Sequence, residues 1–239
     1  MDEKDYTAPA IVFAIIIIMI ILKAADTSFS LKDVIAAMAT LIAAFVGAQS
    51  AFSMQKNKAK KDELQRQCAT VNQTIYLLGV MWSNLKAYTT QSITPTLNSP
   101  APWLAIKHNI IGSDVKLPHE GLLFLLNSHK NANFYLELLH LERCYIITCE
   151  IINILHKVHT DELQPKLESL GYSRLSKINT LTIETQLGPV LVAKLQTLTN
   201  DAFTDVPKIM DSIKKLNSNF RAAMAEDFNN NLIRNLELI

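Results

Sequence analysis

The chain is poor in the residues that build turns, disulfides and phosphate cradles. Glycine occurs six times in 239 residues, too sparsely for turn-dense β architecture or glycine-rich nucleotide loops. No GxxxxGK[ST] loop, GxSxG elbow or HExxH helix is present in the sequence, which removes the common signatures of P-loop, hydrolase and metalloprotease chemistry. Three cysteines, Cys68, Cys144 and Cys149, include no CxxC pair. An odd number without that spacing argues against a disulfide framework and against a zinc site. Free thiols on a large domain suit a reducing compartment. The formal net charge is +1, so no global field draws in nucleic acid or repels it.

What the sequence has instead is hydrophobicity concentrated before residue 55. A first apolar run covers 8–25, with Lys23 near its end, where the stem can snorkel to headgroups. A second covers 34–54, after the short polar break "DTSFSLKD". Both approach the length that crosses a bilayer, about 20 residues for a core of about 30 Å. The opening Met-Asp-Glu-Lys-Asp is acidic, unlike the basic start of a secretory leader. "IVFAIIIIMIIL" has no polar face at helical spacing, unlike a surface helix of a soluble domain. The expectation is a two-helix transmembrane hairpin over 1–54. The cytoplasmic domain would cover 55–239, with no internal repeat.

Lysine placement sets the expected orientation. The connecting loop carries Lys23 and Lys32, whereas the flank after the second run carries Lys56, Lys58, Lys60, Lys61 and Arg66. Positive residues stay inside, so both termini are expected in the cytoplasm and the hairpin tip outside. The same flank fits contact with anionic lipid; it lacks the interleaved aromatics of a single-strand nucleic-acid groove. The second run carries a stripe of small residues, Ala36, Thr40, Ala43, Gly47 and Ala51. Small residues on one face let helices approach closely in lipid, either the first span or a second protomer.

Beyond the membrane the periodicity is helical throughout. Leu64, Cys68, Val71, Ile75, Leu78, Trp82 and Leu85 step by four and three, predicting a long helix to about residue 92 whose seam is a bundle core or a dimeric coiled coil. Prolines 95, 100, 102 and 118 and Gly112 break the pattern. The connector over 93–118 is expected to hold a short helix at 103–111, pinned by Trp103. "HEGLLFLLNS" predicts a short apolar helix. Phe134, Leu138, Leu141, Tyr145, Thr148, Ile152 and Leu155 predict a longer one. A further helix is expected at 191–198, and a last one starting after Thr204 or Asp205 with Pro207 in its first turn. No alternating strand is read, so the fold class is all-α.

Candidate chemistry is sparse. Glu137 and His140 form one Glu-x-x-His, but a di-metal bundle site needs two; they read as polar flank positions. His156 and His159 read as solvated positions near a helix end. Cys144 would need a histidine beside it to act as a nucleophile, and its apolar helix marks it as a buried structural cysteine. The chain reads as non-enzymatic, with no cofactor, metal or small-molecule substrate.

The layout of spans at 8–25 and 34–54, a lysine flank at 56–61 and a helical remainder resembles the two-span membrane effectors encoded beside retron reverse transcriptases in bacterial antiviral defence. The resemblance lies in layout and not in a motif, so it assigns no functional residues. It implies a place in the bacterial inner membrane and, as partners, a reverse transcriptase and its RNA-linked DNA. It also implies an outcome: the membrane is compromised on infection and the cell is lost before phage matures. The competing expectation is a membrane-tethered scaffold or sensor that recruits a soluble partner and leaves the bilayer intact.

Overall fold

The computed structural model describes residues 31–107, 109–172, 180–228 and 233. Most of these residues are helical and none forms a strand, as the all-α reading expects. The elements are α1 (Leu31–Tyr88), α2 (Pro102–Ala105), α3 (Ala132–Val158), α4 (Gln164–Ser169), α5 (Thr180–Leu187) and α6 (Pro189–Phe228). A 3-10 helix spans His119–Asn127, and π-helical turns close α1 at Thr89–Ile93 and α3 at His159–Leu163. The chain divides into two units, Met1–Lys61 and Asp62–Ile239.

In the first unit the described residues belong to α1, and their side chains stand almost entirely in the open. Among the described residues no helix is long and apolar enough to cross a membrane. The side chains of Val34, Ala37 and Met38 lie outside the described set, and Gln49, Ser50, Ser53 and Gln55 dilute the apolar run that remains. The first expected span, 8–25, falls wholly outside the described residues. The described residues thus support the all-α class and not the transmembrane hairpin, which remains an expectation of the sequence.

The second unit is a bundle of α1, α3 and α6. From α1 it buries Cys68, Val71, Ile75, Leu78, Met81, Leu85 and Tyr88. This is the expected seam with two shifts: Leu64 is exposed, and Met81 takes the core position expected of Trp82. A helix of 3.6 residues per turn drifts off a strict 3.5 repeat, so the buried stripe moves round by a residue within a few turns. The seam packs inside its own chain, as a bundle core. From α3 come Leu138, Leu141, Tyr145, Thr148, Ile152 and Leu155, all buried. Each Leu or Ile so buried contributes about 1.5–3 kcal/mol against exposure.

Contacts along their length fix the directions of the three helices. Lys130 pairs with Glu226, and Asn131 donates to Asp227 at 2.6 Å. Phe134 meets Phe220 edge-on at 5.7 Å, and at the other end Lys194 pairs with Glu162 at 2.6 Å. α6 is thus antiparallel to α3. On α1, Thr70 lies against Gly121, Asn84 reaches Tyr145 at 3.0 Å and Thr89 reaches Met210 at 3.5 Å. α1 therefore runs parallel to α3. Parallel neighbours cannot be joined by a short turn, and this is why the connector is long: the chain must travel back the length of the bundle before α3 begins.

Two expectations about boundaries are corrected. The short helix in the connector is only Pro102–Ala105, because the chain turns extended at Ile106, with φ −62° and ψ 130°; Trp103 is buried and pins it as expected. The last helix does not start near Pro207 but runs unbroken from Pro189, with Pro207 inside it. An interior proline costs about 3 kcal/mol. Here its ring is exposed while Ala202, Val206, Ile213 and Leu216 bury a continuous face on either side, enough to carry the helix through. The true start is set by Gly188, whose φ of 87° suits glycine alone, followed by Pro189. Gly121 is needed for a different reason: a Cβ there would lie 2.8 Å from Thr70 Cγ2.

Candidate functional site

The residues that the sequence expects at a membrane lie on α1. Ala36, Thr40, Ala43, Gly47 and Ala51 fall on one helical face and are exposed. The Thr40 hydroxyl donates to the Ala36 carbonyl at 2.9 Å, so its polar atom is satisfied within the helix. A Cβ built on Gly47 meets nothing within 4 Å. Ile35, Leu41, Ile42, Val46, Phe52 and Met54 are also exposed, and at 100° per residue they spread over the rest of the helix surface, beside the small-residue face. Lys56, Lys58, Lys60 and Lys61 follow, all exposed. Arg66, the last of the expected basic flank, pairs with Glu63 at 3.3 Å.

The polar chemistry of the second unit centres on α3. Beyond Ile106 the connector runs back along this helix in extended form, and a row of α3 side chains holds its backbone. The Asn153 amide accepts from Ile111 N–H at 3.2 Å and donates to the Ile111 carbonyl at 3.1 Å. The Tyr145 hydroxyl donates to the Gly112 carbonyl at 3.1 Å while accepting from Asn84. Glu142 takes Leu117 N–H on Oε1 at 2.8 Å, and its other oxygen meets His119 Nε2. Glu142, Tyr145, Cys149 and Asn153 step by three or four, so they line one flank of α3. Sequence reasoning missed this role. The signal was a glutamate and an asparagine in register with tyrosine and cysteine on an otherwise apolar helix.

Burial shapes the acid–base character of this flank and of Tyr88 on α1. It pushes the Cys149 thiol up to about 11 and the Tyr88 hydroxyl up to about 12. It raises Tyr145 as well. Each group is therefore held neutral at physiological pH.

Two expected assignments change. Cys144 is not buried but half-exposed, with its Sγ 3.5 Å from His140 Nε2 one turn away; both stand on the outer side of α3, where packing leaves them. His159 is not solvated: it is 1% exposed, because the π-helical turn rotates it inward. Glu137 and His140 are exposed flank positions, as expected. Among the described residues no three His, Cys, Asp or Glu side chains gather to hold a metal ion.

The outer face of α3 is unlike the rest of the bundle surface. Leu136, Leu139, Ile147 and Ile154 are exposed there, 60%, 37%, 45% and 48%. A shallow groove of about 720 Å³ is lined by Leu136, Leu139, Ile146 and Ile147 together with His140, Glu142, Arg143 and Glu150. α3 is thus apolar on two opposite sides, only one of which faces the core. No protein-family model matches the chain, and no curated protein or solved structure matches it either.

Proposed function

We propose that the chain is a membrane-anchored effector whose N-terminal hairpin perturbs a bacterial inner membrane, with the helical bundle in the cytoplasm holding it until infection. The observation that carries this reading is the segment from Val34 to Gln55. It holds no charged residue, and its described large apolar side chains are exposed round the part of α1 that the small-residue stripe leaves. A helix apolar all round needs an apolar medium. The preceding run at 8–25 supplies a second span, and the lysines at 56–61 supply the inward anchor. The antiviral role and the partnership with a reverse transcriptase and its RNA-linked DNA come from the resemblance in layout to retron effectors. In this reading the chain takes no cofactor and turns over no small-molecule substrate.

The test has two parts. A reporter active only in the cytoplasm, fused after Ile239, is expected to work, and one inserted at Ser28 is expected to behave as external. Induced expression of the chain alone is expected to dissipate membrane potential, read with a dye. A periplasmic C-terminus would defeat the topology. Stable insertion without any loss of potential would defeat the effector role and leave the tethered scaffold.

A further inference from the structure

α6 meets the core along Ala202, Val206, Ile213, Leu216 and Phe220, yet the same interface holds oxygens that no donor reaches. The Thr199 hydroxyl and the Asn217 amide oxygen, both on α6, are buried with no hydrogen-bond partner among the described residues. At one end of the interface Asn131 donates to Asp227, but its own amide oxygen is buried and unmet in the same way. Between Thr199 and Asn217 stands Pro207, which takes one backbone hydrogen bond out of the middle of α6. Two ion pairs that tie α6 to the rest, Lys194 with Glu162 and Glu226 with Lys130, are exposed and screened by solvent. The connector is held differently: Asn153, Tyr145 and Glu142 of α3 each bond its backbone, and Asn84 of α1 bonds Tyr145. A buried oxygen without a donor costs free energy only while it is buried. When α6 leaves, water reaches Thr199 and Asn217 and that cost disappears. It therefore weighs against the docking of this one helix.

We infer that α6 is a built-in release element: the bundle opens by departure of α6 first, while α3 and the connector stay packed together. The release concerns the bundle alone and holds whether or not the N-terminal runs cross a membrane. Under the effector reading α6 is the latch that keeps the bundle closed until infection, and that consequence rests on the reading.

The full-length chain in isolated membranes or detergent provides the test, read as the rate at which a maleimide labels buried thiols in native buffer, with the labelled peptides identified by mass. In a Cys144→Ser background, Val206→Cys places a thiol on the core face of α6, and Ala202→Cys provides a second probe on that face; both positions are fully buried. Cys149 is the internal reference, buried on α3 beside the Gly112 carbonyl of the connector. The α6 thiols are expected to label at least about tenfold faster than Cys149, because a sub-global opening needs less free energy than global unfolding. Adding Asn217→Leu is expected to slow the α6 thiols about tenfold, as removal of one unmet buried polar group does. Adding Asn153→Leu, which loosens the connector, is expected to speed Cys149 and to leave the α6 thiols unchanged. Equal rates at α6 and Cys149, or rates that rise together with Asn153→Leu, show a bundle that opens as one unit and overturn the inference. Unchanged or faster labelling of the α6 thiols with Asn217→Leu shows that the asparagine does not weaken docking, and overturns it too. The readout is independent of membrane potential, so its failure and that of the effector reading can be told apart.

Discussion

Asn153 holds both backbone groups of Ile111, accepting from its N–H at 3.2 Å and donating to its carbonyl at 3.1 Å. A primary amide here stands in for a neighbouring strand. Asn153→Leu keeps the volume and leaves Ile111, itself 6% exposed, with two unmet groups, at about 1–3 kcal/mol each. The expected result is a lower urea midpoint for the bundle and faster tryptic cleavage after Lys107 and Lys116, the exposed lysines flanking this stretch. An unchanged tryptic pattern would mean that the connector is held by its buried apolar residues alone.

Ile75 is fully buried in the α1 seam. Ile75→Asp places a carboxylate there without a partner, a loss of about 3–5 kcal/mol. Limited proteolysis of membranes is expected to show a degraded bundle with the N-terminal segment still protected. Survival of the wild-type fragments would mean that the seam tolerates solvent.

The raised groups predict how stability depends on pH. Cys149 titrates near its ordinary value of 9.0 in the unfolded chain and near about 11 when folded; Tyr88 moves from 10.0 to about 12. Above pH 9 the unfolded chain therefore releases protons that the folded chain keeps, and stability falls as pH rises. It is expected to be unaffected by these groups below pH 9 and to decline progressively from there to about pH 12. At pH 8 a maleimide is expected to label Cys144 first, with Cys68 and Cys149 reacting only on unfolding. Rapid labelling of Cys149 in the native chain would contradict its burial.

Gly47 separates packing from hydrophobicity in the proposed membrane segment. Its surroundings are open within α1, so any obstruction met by a larger side chain comes from a neighbouring helix. Gly47→Leu raises apolarity, and insertion is expected to persist. If protomers associate through the small-residue face, loss of membrane potential on induction is expected to drop sharply at equal protein level. Ile17→Leu is expected to change nothing. Equal potency of wild type and Gly47→Leu would exclude association through this face.

Helix identity and core faces were legible because they are periodic: the α3 face from Leu138 to Leu155 and the α1 face from Cys68 to Leu78 could be read from spacing alone. Boundaries were harder where two local rules compete. Pro207 is both a good helix start and, with its ring in solvent, a tolerable interior residue; only the packed face across it decides. The site on α3 was harder still. The backbone partners of Glu142, Tyr145 and Asn153 lie 25 to 42 positions away, and backbone groups leave no residue signature. Cys144 and His159 were misplaced for one reason: a turn of helix has a buried side and an open side, and a local π-helical turn shifts which residues occupy each.

The returning connector has a further consequence for motion. The amides of Ile111 and Leu117 are bonded to side chains of α3 rather than to a ladder of their own. They can exchange with solvent only when the strap and α3 come apart, so their exchange rates time that separation and not any local fraying. Two amides in one extended segment thereby report on the docking of a 27-residue helix, and they are expected to exchange at a common rate.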